Sequence, residues 1–198
     1  MTVLTLPTSP GYKTGAPRLL SFGVDQKSAM GGATQRILRL GSRFALDVEY
    51  APMSYTEAQT FISFMVQSEA NPIALTFPQR GLSIGSPGSP VVNGGGQSGS
   101  SLVVRNCAGG YGFQVGQFFS FITAGRRSLH MVTTATNANG GGVATLAIAP
   151  MLRTSPFDND TVEVASPYIE GFLPMGAARW SIEMLTRVGV KLTIEEDR

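Results

Sequence analysis

With one histidine and one cysteine in 198 residues, acid–base or nucleophilic chemistry near neutral pH has only His130 and Cys107 to draw on. His130 lies mid-strand in Leu129-His130-Met131, where an interstrand polar contact is its ordinary role. Cys107 sits in Asn106-Cys107-Ala108-Gly109-Gly110, which lacks the features of a catalytic cysteine loop and reads as a small buried or loop thiol. No serine is read as a nucleophile elbow. Gly94 to Gly99 is rich in glycine but has neither the lysine nor the strand-to-helix setting of a phosphate loop, so it reads as a tether. Asp158-Asn159-Asp160 gathers three oxygen side chains without the glycine and terminal glutamate of a calcium loop, and a tight turn accounts for it. Zinc and iron–sulfur centres need several Cys or His ligands, so no metal or cofactor is expected. Aromatic stacking on a sugar or other partner has four candidates, Tyr111, Phe118, Phe121 and Trp180, although Phe118, Phe119, Phe121 and Ile122 together also read as the two faces of a buried strand. Without a catalytic constellation, the chain reads as a structural or binding protein and not as an enzyme.

Composition points the same way. The chain is 42% hydrophobic but only 14% charged, well below the roughly 25% of an average globular chain, which excludes charge-driven disorder. A single Cys closes no disulfide. A net charge of +2, from basic residues that are scattered along the chain, does not resemble a nucleic-acid binder. The N-terminus has no basic region followed by a long apolar stretch, and no run reaches the roughly 18 apolar residues that span a bilayer. A soluble protein made in a reducing compartment is the expectation.

The elements that must position any site are mostly strands. Residues 1–18 carry prolines and glycines without a period and are expected to form an extended arm. Phe44, Leu46, Val48 and Tyr50 alternate with Ala45, Asp47 and Glu49, as in a half-buried strand whose acidic face is solvated or meets another subunit. Gln35–Leu40, ahead of Gly41-Ser42, is expected to pair with it as a hairpin. Ser54 and Glu57 have capping-box spacing, and Ala58, Phe61, Ile62 and Met65 follow on one helical face until Asn71-Pro72. Ile73–Phe77 reads as a strand, and residues 79–100 as a linker or long excursion. Five strand candidates follow, at 101–105, 117–122, 128–133, 143–148 and 161–164, as in a small OB-type barrel or a compact sandwich. Residues 178–185 and 188–194 alternate as a closing hairpin across Thr186-Arg187. The predicted fold class is mainly β: residues 1–80 and 168–198 form a β-sandwich with one α-helix, and residues 81–167 form an inserted barrel that faces outward. Acids vanish between Glu69 and Asp158 and then dominate the end of the chain, which supports this division.

This order of an arm, Arg39-Leu40-Gly41-Ser42-Arg43, an alternating strand, one capped helix after Pro52 and a strand into Phe77-Pro78 resembles the first domain of distal tail proteins of long-tailed bacteriophages. Residues 116–121, 125–130, 144–153 and 169–173 are similar to their second part. The resemblance implies a virion protein of the tail tip or baseplate, assembled in the host cytoplasm without membrane insertion. It implies a homo-oligomeric ring, commonly a hexamer, that joins the tail tube protein to a hub or central fibre protein. DNA would pass through the lumen only as cargo, and receptor-binding proteins would be further partners. The family supplies no catalytic residues. A carbohydrate-binding module that contacts host surface glycans through the four aromatic candidates is the second expectation.

Overall fold

The structure is a computed structural model and describes residues 2–27, 30–182 and 187–197. The chain begins with β1 (Leu4–Thr5), β2 (Tyr12–Leu20), β3 (Val24–Gln26), β4 (Gln35–Ile37), β5 (Arg43–Tyr50), β6 (Met53–Ser54), α1 (Tyr55–Gln67) and β7 (Ile73–Thr76). Next come β8 (Gly88–Val92), β9 (Gly99–Cys107), β10 (Gly112–Phe113), β11 (Phe118–Thr123), β12 (Arg126–Val132), β13 (Thr136–Asn137), β14 (Ala144–Leu152) and β15 (Val162–Glu163). The last strands are β16 (Tyr168–Phe172), β17 (Arg179–Ile182) and β18 (Arg187–Glu196). The fold is mainly β, with a single helix among the described residues. No helix among them is long and apolar enough to cross a membrane.

One sheet runs β1-β7-β16-β18-β5-β2, with β17 and β6 also paired to β18. The other runs β15-β11-β12-β14-β9-β8, and a bridge between Val91 and Thr161 brings its ends together into a nearly closed, barrel-like sheet. The chain thus leaves the first sheet after β7 and returns to it at β16, whose Tyr168 pairs with Thr76. Alternation explains the two central strands. Phe44, Leu46, Val48 and Tyr50 of β5 and Val188, Val190, Leu192 and Ile194 of β18 face one core, which α1 covers with Ala58, Phe61 and Met65. Ser54 Oγ accepts from the Glu57 amide at 3.3 Å, and the Glu57 carboxylate accepts from the Ser54 amide at 2.9 Å, so the capping box closes as its spacing predicts. Gly171 has no room for a side chain, because a Cβ there would lie 1.8 Å from the Glu195 carbonyl oxygen.

The second sheet divides its side chains between two cores. Phe119 and Phe121 are buried inside the barrel-like sheet with Leu102, Val104 and Leu146. Phe118, Leu129 and Met131 point the other way and pack on the first core, with the Phe118 ring 4.4 Å from that of Phe77 and 5.3 Å from that of Phe44. β11 and β12 therefore form the seam between the sheets.

Several expectations need correction. Residues 1–18 are not a free arm: β1 runs parallel to β7, and β2 pairs with β5 from Tyr12 to Leu20. β2 ends the strand order, where Pro17 does not interrupt a central ladder and where most side chains stay exposed, which leaves no alternation to read. Gln35–Ile37 does not pair with β5, whose two sides are taken by β2 and β18, but with β3. Residues 79–100 contain β8 and the start of β9. Gly88 has φ +83, and a Cβ there would come within 2.8 Å of the Ala108 amide nitrogen, so a glycine in this strand reflects close backbone approach and not a linker. The closing hairpin pairs Ile182 with Val188; Thr186 lies outside the described residues, and Arg187 is already in β18.

Candidate assembly surface

Between β2 and β5 the chain forms a two-stranded ribbon, β3 with β4, whose six strand residues are all exposed. Asp25 and Arg36 face each other across it in a two-pronged ion pair of 2.7 and 3.0 Å, and Val24 is paired with Ile37. Phe22, Val24, Ile37, Leu38 and Leu40, together with Leu19 at the end of β2, are 38–64% exposed. Apolar side chains are thus concentrated on a ribbon that lacks a core of its own. Among the described residues β17 pairs with β18 alone, and it exposes Trp180 and Ile182.

Charged groups are densest at the seam. Glu196, fully buried at the end of β18, accepts from the Phe44 amide at 2.7 Å, the Leu129 amide at 2.6 Å and Arg153 Nη2 at 3.1 Å, and so ties both sheets to the stretch after β14. Burial pushes its carboxyl up, while Arg153 and the two amides pull it down. Arg127 grips Glu163 through Nε and Nη2 at 3.0–3.3 Å, and Arg126 pairs with Asp197. The signal for these residues was the phase of the alternation. Glu196 continues the inward series of Val188, Val190, Leu192 and Ile194, and a charge in that phase demands buried partners.

The aromatic candidates do not converge. Phe121 is fully buried and stacks on the His130 ring at 5.3 Å, so it offers no surface to a sugar. Phe118 is spent on the seam, and the Tyr111 hydroxyl donates to the Ile84 carbonyl and accepts from Gln117 Nε2, both at 2.8 Å. Trp180 alone remains open, at 41% exposure, and its alternation places it on the face of Val190, opposite Arg179 and Ser181. On the other face of β5, Asp47 meets Arg18 and Thr193, and Glu49 meets Lys191.

Compared with protein-family models and with curated proteins, the chain matches none.

Neither His130 nor Cys107 stands in the setting that acid–base or nucleophilic chemistry near neutral pH needs. Burial holds His130 near a pKa of about 4; its Nδ1–H donates to the Pro150 carbonyl at 2.9 Å, which leaves a neutral ring with Nε2 unpartnered. Burial also pushes the Cys107 thiol up, away from the thiolate that a nucleophile needs. Gly81-Leu82-Ser83-Ile84-Gly85 has the lettering of a nucleophile elbow, but it lies between β7 and β8 with no helix after it, and the Ser83 carbonyl accepts from Gln114 Nε2. No group of three or more His, Cys, Asp or Glu able to hold a metal occurs among the described residues. Asp158 accepts from Arg105 at 2.9 and 3.2 Å and from the Gly94 amide, as a turn clamp and not a cation site.

Proposed function

We propose that this chain is a structural protein of the tail tip of a long-tailed bacteriophage, assembling with copies of itself into a ring that joins tail tube to hub or central fibre around a channel for DNA. The observation that carries the reading is the β3–β4 ribbon, whose six strand residues are all exposed and beside which Leu38 and Leu40 stand 64% and 63% in water. The outer edge of β17, in the first sheet, has no strand beside it among the described residues and supplies a second surface distinct from the ribbon, as a head-to-tail ring requires. What is left of the resemblance to distal tail proteins, an alternating strand, one capped helix after Pro52 and a strand into Phe77-Pro78, supports the identity proposed for the assembly. A carbohydrate-binding role keeps one exposed aromatic of its four candidates, Trp180, and is the weaker reading.

Ribbon substitutions test the assembly. Leu38→Ser with Leu40→Ser removes apolar surface that is mostly in water already, so the unfolding midpoint is expected to stay put while the assembly falls to single chains in analytical ultracentrifugation. An assembly that survives both substitutions rules the ribbon out as the contact.

A further inference from the structure

At the seam, the described residues place four carboxylates, Glu163, Glu170, Glu196 and Asp197, among three guanidinium groups, Arg126, Arg127 and Arg153. Each guanidinium is already engaged: Arg126 by Asp197, Arg153 by Glu196 and the Asp197 carbonyl, and Arg127 by both oxygens of Glu163. Glu170 is the remainder. Its side chain is 1% exposed, one oxygen lies 3.4 Å from Arg127 Nη1, and the other has no partner. It comes from β16 of the first sheet and meets β12 of the second, beside a cavity of about 220 Å³ that Thr123, Arg126, Arg153 and Asp197 also line. The Thr123 hydroxyl and Arg153 Nε lack partners as well, so the cavity wall is polar enough to admit water.

We propose that Glu170 is a proton-operated latch between the two sheets. Protonated, it rests as a neutral group in the closed seam; ionised, it makes a fourth carboxylate among three guanidinium groups, held only by Arg127 Nη1 at 3.4 Å while Glu163 takes that residue's Nε and Nη2, and the contact between β16 and β12 loosens. Among the described residues, the charged groups that line the cavity with it, or pair with those that do, are Arg126 and Arg127 on β12, Arg153 after β14, Glu163 on β15, and Glu196 and Asp197 at the end of the chain. Burial pushes the Glu170 carboxyl up, against the pull of Arg127 and Arg126. An acid that holds its proton more tightly folded than unfolded contributes stability that is lost as pH rises through its folded pKa. The latch does not depend on ring assembly, and its test needs only the folded chain.

The test is the carboxyl resonance in ¹³C-labelled protein that Glu170→Gln removes, followed together with amide exchange. The latch requires that resonance to titrate above the ordinary glutamate value of about 4.3. As pH rises from about 5 to about 8, β12 and β16 amides are expected to exchange faster than in Glu170→Gln at the same pH, by about tenfold for each unit of displacement. Titration in the ordinary range, or identical exchange in both proteins, overturns the proposal. If Glu170→Gln does not fold, the wild-type exchange of β12 relative to β9 decides: a ratio that climbs with pH supports the latch, and a constant ratio overturns it.

Discussion

Removing the Glu196 carboxylate attacks the joint between the sheets at its most connected point. In Glu196→Ala the buried amides of Phe44 and Leu129 lose their acceptor, and Arg153, only 7% exposed, keeps the Asp197 carbonyl as its remaining partner. Stripping one partner from a buried ion pair costs ~3–5 kcal/mol, and a buried amide left unpaired costs ~1–3 kcal/mol. These losses overlap because the cavity that remains can take up water, so ~4 kcal/mol is expected in total. For a chain of this length that lowers the thermal midpoint by about 8–16 °C. Urea unfolding of the wild type, Glu196→Ala, Arg153→Met and the double variant measures the loss and its coupling. The double variant is expected to lose less than the sum of the singles, by ~1–3 kcal/mol, because Arg153→Met removes the charge that Glu196→Ala strands. A Glu196→Ala loss below ~1 kcal/mol, or strictly additive singles, refutes the account of the seam.

Three further outcomes follow from the same geometry. His130 has a folded pKa of about 4 against 6.5 for the free side chain, so the unfolded chain binds the proton first. Its contribution is complete above pH 6.5 and is lost as pH falls towards 4, by roughly 3 kcal/mol, and His130→Phe is expected to flatten that part of the urea-midpoint profile. Gly171→Ala forces a Cβ against the Glu195 carbonyl and is expected to cost ~3 kcal/mol or more, or to abolish soluble expression; a loss within ~0.5 kcal/mol contradicts the β16–β18 packing. Ser54→Ala opens the capping box and is expected to cost ~1 kcal/mol, seen as a midpoint about 2–4 °C lower.

Local rules made part of this fold legible. Ser54 and Glu57 announced α1, the alternation from Phe44 to Tyr50 announced β5, and turn residues separated the strands between 101 and 164. What stayed hidden depends on position in the sheet. β2 is an edge strand that exposes most of its side chains, so its alternation is blank, and β8 opens on Gly88, which serves close backbone approach, among turn glycines that read as a linker. The ribbon was misread because Gln35–Ile37 sits beside β5 in sequence, while β5 takes its partners from Tyr12–Leu20 and from the far end of the chain. The seam was missed for the same reason. Glu196 finds Phe44 152 positions away and Leu129 67 positions away, separations that no local pattern records.

Assembly is the central claim, and native mass spectrometry of the purified chain tests it most directly. The account predicts a closed oligomer with one discrete copy number, which electron microscopy resolves as a ring with an open centre and which Leu38→Ser with Leu40→Ser dissolves into folded single chains. A wild-type protein that stays at the mass of one chain at high concentration contradicts it.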